Sequence, residues 1–302
     1  MDILKFFMLR IYIIMFWFSV TLVVISVILL ALYGLNFGVD FRGGSVMELE
    51  FSGGRPSLDE VKGVSADAGL ADVAVNYVGE DGMILRTKEL SENEHQNILA
   101  VLQSNFSGLE EKRFDSIGPI IGQELKTKSV TARSLVLLAV IVYIALVFRK
   151  LSKPLSPWVM GFAAIIALLH DVIIPVGVFA VLGRFYGIEI SAVFVAAVLT
   201  ILGYSVADTV VVFDRVRENI IRGNIRGNMD GGFLAVVHKS VMQTLTRSLN
   251  TTFTTLLSLF AIYFFGGESI RYFALALIIG IFLGAYSSIF VASPLLVWWS
   301  RK

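Results

Sequence analysis

The chain has 302 residues, of which 56% are hydrophobic and only 16% charged, and its mean hydropathy is +0.78. A soluble domain averages about 25% charged residues, so an ordinary soluble enzyme is excluded in favour of a membrane protein. The net charge is +1 and Cys is absent, which excludes a general polybasic nucleic-acid binder, disulfide staples, cysteine metal sites and thiol catalysis.

A membrane helix needs about 20 mostly apolar residues, and Ile11–Tyr33 is the first such run. Lys5 and Arg10 precede it, as they would in a signal peptide. The run is much longer than an h-region of roughly 7–15 residues, and no A-x-A site follows, so it reads as an uncleaved signal anchor. Further runs cover Ala132–Phe148, Trp158–Leu182, Ile190–Phe213, Thr244–Phe265 and Ile270–Trp299. Six spans place both termini on one side. That side carries Lys5, Arg10, Arg149, Lys150, Lys153, Arg215, Arg217, Arg222, Arg226, Lys239, Arg247, Arg301 and Lys302. The short opposite loops carry only Arg184 and Arg271. The positive-inside rule therefore puts both termini in the cytoplasm. The basic, Gly-rich stretch Arg215–Gln243 serves topology first, with anionic membrane lipid or a cytoplasmic partner as a second use. Val216–Ile221 and Gly232–Val241 are expected there as short interfacial helices.

Between spans one and two, residues 35–131 hold most of the acidic residues and are expected to fold as a periplasmic α+β domain. Ser45–Phe51 alternates apolar and polar residues, as a half-buried strand does. Ser57 with Glu60 makes a capping box that opens a helix to about Leu70. Ala71–Val78 and Met83–Lys88 are short strands joined by Glu80-Asp81-Gly82. Ser91 with Glu94 is a second capping box, and Leu109–Ile117 is a last strand. The order β-α-β-β-α-β is that of a ferredoxin-like sheet. No nucleophile–base pair, metal-ligand spacing or phosphate loop is present, and His95 reads as a solvated side chain. Binding or leverage is expected of this domain, without catalysis, metal or cofactor.

Ionisable residues inside spans are costly and point to function. His170 and Asp171 lie near the middle of span three, Asp208 inside span four, and Arg247 just inside span five. At about 1.5 Å of rise per residue, Asp208 and Arg247 reach similar depths, and a pair between them is expected. Tyr204, Ser205, Asp208 and Thr209 are expected to cluster on one face of span four. Arg247, Asn250, Thr251, Thr254, Thr255 and Ser258 recur on one face of span five. Together they can line a narrow hydrated path, or an ion pair can simply lock the helices together. Ala276, Gly280, Gly284 and Ser288 form a small-residue ridge for helix packing, against this chain or a partner.

Two stretches carry a family resemblance. Leu35-Asn36-Phe37-Gly38-Val39-Asp40-Phe41-Arg42-Gly43-Gly44 follows the first span. Gly203-Tyr204-Ser205-Val206-Ala207-Asp208-Thr209-Val210-Val211-Val212-Phe213-Asp214-Arg215-Val216-Arg217-Glu218-Asn219 ends the fourth. They resemble signature motifs of the SecD/SecF family of protein-export membrane subunits, on its SecF branch, within the RND superfamily. His170-Asp171 and Arg247-Ser248-Leu249-Asn250-Thr251 resemble family patterns too, in matching order along the whole chain. The first motif usually has Thr where this chain has Arg42, and the fourth-span motif commonly has Asn where this chain has Ala207.

The resemblance implies a six-span RND-type half that pairs with SecD. It also implies association with the SecYEG channel and YajC, and use of the proton-motive force at the bacterial inner membrane to move unfolded polypeptides outward. It assigns the proton path to Asp208 and Arg247. The segment with Gly38, Asp40, Gly43 and Gly44 is expected as a turn that joins the first span to the sheet. Two other readings share these residues: a proton-coupled half of a small-molecule or lipid exporter, which needs a substrate-sized apolar cavity, and a structural scaffold subunit.

Overall fold

The structure, a computed structural model, describes residues 2–70, 72–148, 156–225 and 232–300. It divides into two compact units. One comprises Phe37–Val130 and the short strap Glu189–Ala192, and the other comprises Met1–Asn36, Thr131–Ile188 and Val193–Lys302.

The chain opens with helix α1 (Asp2–Tyr33) and then enters the first-named unit through a one-turn helix, α2 (Val39–Arg42). Then come β1 (Gly44–Phe51), α3 (Leu58–Asp67), β2 (Ala74–Val78), β3 (Gly82–Thr87), α4 (Glu92–Asn105) and β4 (Leu109–Ile117). All pairings are antiparallel in the order β2-β3-β1-β4, which is the ferredoxin-like arrangement. Alternation along β1 buries Met47, Leu49 and Phe51, which meet Met83 and Leu85 of β3 in one core with Val61 of α3 and Ile98 and Leu102 of α4. Both capping boxes are formed. Ser57 accepts from the Glu60 N–H and Ser91 from the Glu94 N–H, while each glutamate accepts in return from its cap residue's N–H. Donors that the first helical turn would leave unpaired are satisfied in this way. The strand expected from Ala71 starts at Ala74, and Ala71 itself lies outside the described residues.

His95 departs from expectation. It is 4% exposed, lies with Nε2 2.7 Å from Glu111 Oε1, and stacks on Phe114 with ring centroids 3.7 Å apart. The register of β1 against β4 shifts between Glu48 and Leu49, so Glu48 faces Arg113 while Leu49 faces Glu111. A bulge of this kind re-aims side chains, here presenting Glu111 and Phe114 together to α4. A polar neighbourhood in sequence carries no trace of that.

The helices long and apolar enough to cross a membrane are Arg10–Tyr33 of α1, α5 (Pro119–Val147), α6 (Pro157–Tyr186), α7 (Ala192–Ile225), α8 (Gly232–Phe265), and a last run over Ile270–Trp299; the other unit holds them except for α5 up to Val130 and the first residue of α7. The last run is built from α9 (Glu268–Ser287), a π-helical turn at Ser288–Ala292, and α10 (Ser293–Trp299). The segments expected as separate interfacial helices, Val216–Ile221 and Gly232–Val241, are instead continuous extensions of α7 and α8. They are zipped together by Arg215 Nε donating to Gln243 Oε1 at 2.7 Å and by Asn219 donating to Ser240 and Gln243. Several basic residues of this stretch are held in ion pairs: Arg215 and Arg222 with Glu218, and Arg217 with Asp214. Arg226 lies outside the described residues.

The small-residue ridge packs within the chain. A Cβ at Gly280 would overlap the Ile201 side chain of α7, and one at Gly284 would lie 3.2 Å from Ser205 Cβ. Close approach of α9 to α7 therefore depends on the absence of side chains at these positions.

Candidate functional site

The polar interior of the membrane unit is built around Asp171 of α6, which is fully buried. Its Oδ2 accepts from Ser205 Oγ of α7 at 2.5 Å and from Ser287 Oγ of α9 at 2.7 Å. Its Oδ1 lies 2.8 Å from His170 Nδ1. The His170 ring stacks at 19° on Tyr286, whose hydroxyl donates to the Met15 carbonyl of α1 at 2.8 Å. Four spans thus meet on one carboxylate and its neighbour. A buried carboxylate is tolerated where its oxygens are hydrogen-bonded, and both oxygens of Asp171 have partners.

Asp208, further along α7, is in a different state. The hydroxyls of Ser248 and Ser288 face it, yet its Oδ2 is buried without a hydrogen-bond partner. Ser248 Oγ, Thr252 Oγ1 and His170 Nε2 are likewise buried and unpartnered. Buried polar atoms are nearly always satisfied, and exceptions call for a specific explanation such as water or a proton-transfer role. Thr209 beside Asp208 is engaged, its Oγ1 lying 3.2 Å from Ser288 Oγ. The π-helical turn starts at this same Ser288, whose carbonyl accepts from Ser293 Oγ at 2.7 Å. Such turns recur at functional sites because they widen the helix and shift its side chains.

The sequence-selected residues therefore separate. Asp171, His170, Ser205 and Thr209 are buried and bonded, and Tyr204, one turn before Asp208 on the same side of α7, has its hydroxyl 3.4 Å from Thr255 Oγ1 of α8. Arg247 sits on the exposed side of α8 and forms no ion pair with Asp208 within 4 Å among the described residues, although it remains within electrostatic range. The reason is helical phase. Ser248 and Thr252 turn inward from α8, so Arg247, Asn250, Thr251 and Thr254 turn outward. Thr251 and Thr254 return their hydroxyls to carbonyls of their own helix. Sequence reasoning missed Thr252 and Ser287, and it held Ser248 only as a member of the family-like stretch around Arg247. Their only signal is spacing: Ser248 and Thr252 lie four apart, and Ser287 is adjacent to the ridge residue Ser288.

An apolar cleft of about 500 Å³ lies between α1, α8 and the last span, lined by Tyr12, His238, Leu249, Phe253, Phe282 and Phe290 among others. Neither Asp171, Asp208 nor Arg247 lines it.

The segment Gly38–Gly44 forms a compact joint in the sheet-bearing unit. It folds as α2 instead of the expected turn, with Gly43 and Gly44 at φ of 79° and 123°. A Cβ at Gly43 would lie 2.7 Å from Pro119 Cα, and one at Gly44 would lie 2.6 Å from the Thr87 carbonyl oxygen. Only glycine combines that backbone with that proximity. The motif also holds the strap. Gly38 N–H donates to the Ile190 carbonyl at 2.9 Å, and Asp40 Oδ2 accepts from the Ala192 N–H at 2.6 Å. Arg86 of β3 forms an ion pair with Glu189 at 2.9 Å.

Comparison with known proteins fits this geometry. The family described as protein export membrane protein SecD/SecF, C-terminal, matches residues 97–302, and the SecD/SecF GG motif matches residues 28–54. The protein translocase subunit SecF of Thermobaculum terrenum is 42% identical, covering 94% of this chain and 90% of its own length. That of Anaerolinea thermophila is 37% identical, with 94% and 91% covered. The crystal structure of SecDF from Thermus thermophilus, a translocon-associated membrane protein, superimposes with a TM-score of 0.79 at 31% identity, over 94% of this chain but 37% of that longer one. Its signature segments, six apolar helices and sheet thus accounted for, the chain belongs to the SecD/SecF family of protein export membrane proteins.

Proposed function

We propose that the chain works beside SecD in the bacterial inner membrane as a proton-driven accessory of the SecYEG channel. Both termini lie in the cytoplasm in this reading, the sheet-bearing unit lies outside, and YajC joins the assembly. The observation that carries it is the set of unpartnered buried polar atoms, Asp208 Oδ2, Ser248 Oγ, Thr252 Oγ1 and His170 Nε2, within one membrane unit. Static packing satisfies most such atoms, and their gathering on spans three, four and five fits a path that admits water and protons. Asp208 takes up and releases the proton, and Asp171, already saturated, holds α6, α7 and α9 in register around it. Arg247 biases Asp208 toward its charged form when the two approach. Each proton moving down about 100 mV supplies about 2.3 kcal/mol, which domain movement converts into outward bias on an unfolded polypeptide. No catalytic, metal or cofactor chemistry is part of this reading.

The outward polar face of α8 supports a seam with SecD as the place where the path closes. Arg247, Asn250 and Thr254 on a membrane-spanning helix are costly against lipid and acceptable against a polar partner or water. The exporter reading is weaker, because the 500 Å³ cleft and the acidic residues do not share a chamber.

The test is proton uptake by proteoliposomes that hold this chain with SecD. Wild type should show proton flux that rises when an unfolded polypeptide is added, and Asp208→Asn should show none. Equal flux in both would remove Asp208 from the path.

A further inference from the structure

The strap Glu189–Ala192 is only four residues long, yet it belongs to the sheet-bearing unit although its neighbours on both sides belong to the membrane unit. Three contacts from separate elements hold it. The Gly38 N–H takes the Ile190 carbonyl, Asp40 takes the Ala192 N–H, and Arg86 pairs with Glu189. Phe37 and Ile190 also form an isolated parallel bridge. A side chain at Gly38 would crowd the strap, since its Cβ would lie 3.2 Å from Glu189 Oε2 and 3.3 Å from the Ile190 carbonyl oxygen.

Ala192 is the first residue of α7, the helix that carries Asp208. Its N–H is among the donors a helix start leaves without an intrahelical partner. Asp40 supplies the missing acceptor from a distant part of the chain, and its carboxylate sits at the positive end of the helix dipole, where a negative charge is favoured.

We infer that Asp40 is a positioning residue that clamps the start of the Asp208-bearing helix to the sheet-bearing unit, so that a shift of α7 on proton exchange is handed to that unit through the strap. This rests on the proton reading above. It gives the glycine-rich segment a second task beyond linking α1 to the sheet, that of gripping α7.

The experiment uses the complex with SecD in membranes and compares wild type, Asp40→Ala, Asp40→Asn, Arg86→Gln and Asp208→Asn. Two quantities are read: hydrogen exchange of the strap amides, and gradient-driven completion of a translocation intermediate at matched protein abundance. Loss of a cap acceptor should speed strap exchange about fivefold in Asp40→Ala, with a clear loss of the gradient response. Asp40→Asn, which keeps an acceptor oxygen, should restore both. If Asp40→Ala fails to accumulate, Arg86→Gln, which breaks the ion pair to the same strap, should shift both readouts in the same direction. Faster exchange with an undiminished gradient response would overturn the proposal, as would unchanged exchange. A gradient response that survives in Asp208→Asn would instead defeat the proton reading, whatever the strap does.

Discussion

Asp171 and Asp208 lie in neighbouring helices of one membrane unit and have opposite hydrogen-bonding states. Asp171 has donors on both oxygens, whereas Asp208 keeps one oxygen buried and free. Both carboxylates were visible in the sequence as ionisable residues in apolar runs. Of their partners only Ser205 stood out, as a neighbour of Asp208 in span four; Ser248 and Ser287 come from other helices and look like ordinary small polar residues. Removing one donor from a saturated carboxylate exposes the desolvation cost of the group, about 1–3 kcal/mol. Ser205→Ala should therefore lower stability by about that amount in thermal unfolding of the detergent-solubilised protein. A change within error would mean that the Asp171 cluster is not a structural clamp. Outside the membrane spans, Glu189 offers a pH handle. Burial holds its carboxyl above the ordinary glutamate range, while the Arg86 charge pulls it back. A raised carboxyl means that the closed strap binds more protons than the open one. Its contribution is full below the ordinary value of about 4.3 and is lost as pH rises through the raised value. Protection of the strap amides should grow as pH falls from about 7 toward about 4, and Glu189→Gln should be insensitive to pH. The same pH response in both proteins would assign the effect to another group.

At the scale of elements, the ferredoxin-like sheet was the most legible part. Period-two alternation set the strands, and Ser57/Glu60 and Ser91/Glu94 set the helix starts through chemistry confined to four residues. The bulge opposite Glu48 and Leu49 was not legible, because it is a property of the pairing and not of either strand, and so His95 was misplaced. The lengths of α7 and α8 were underestimated for a related reason. Hydropathy marks where a helix leaves the apolar layer, not where its hydrogen bonding ends, and Arg215, Asn219 and Gln243 carry both helices onward. The ridge on α9 is expected from its spacing to pack, and the structure sets Gly280 and Gly284 against Ile201 and Ser205 of α7. Gly280→Ala should destabilise by about 1–3 kcal/mol through overpacking, and adding Ile201→Ala should recover part of the loss. Thermal unfolding of the single and double variants checks this. Additive losses would show that the two side chains do not compete for one space.

At the scale of the molecule, the membrane unit leaves its polar α8 face uncovered while Ser248 and Thr252 turn inward, Ser248 toward Asp208. That division supports a proton path bounded on one side by this chain and on the other by SecD. The chain contains no native Cys, so single cysteines report cleanly. Thr254→Cys should cross-link to a cysteine-bearing SecD in membranes, whereas a cysteine at inward-facing Thr252 should not. The reverse pattern would place the seam elsewhere. Helical phase explains why the sequence suggested a direct Asp208–Arg247 pair: depth along a span can be counted from residue numbers, but the direction a side chain takes around its helix depends on what the helix packs against. The central claim is that Asp208 couples the proton gradient to export. It is tested most directly in inverted membrane vesicles holding matched amounts of wild-type or Asp208→Asn protein with SecD, by following completion of a translocation intermediate after ATP is removed. A proton gradient should speed completion in wild type and have no effect in Asp208→Asn. An equal response in the two would contradict it and leave Asp208 a structural residue.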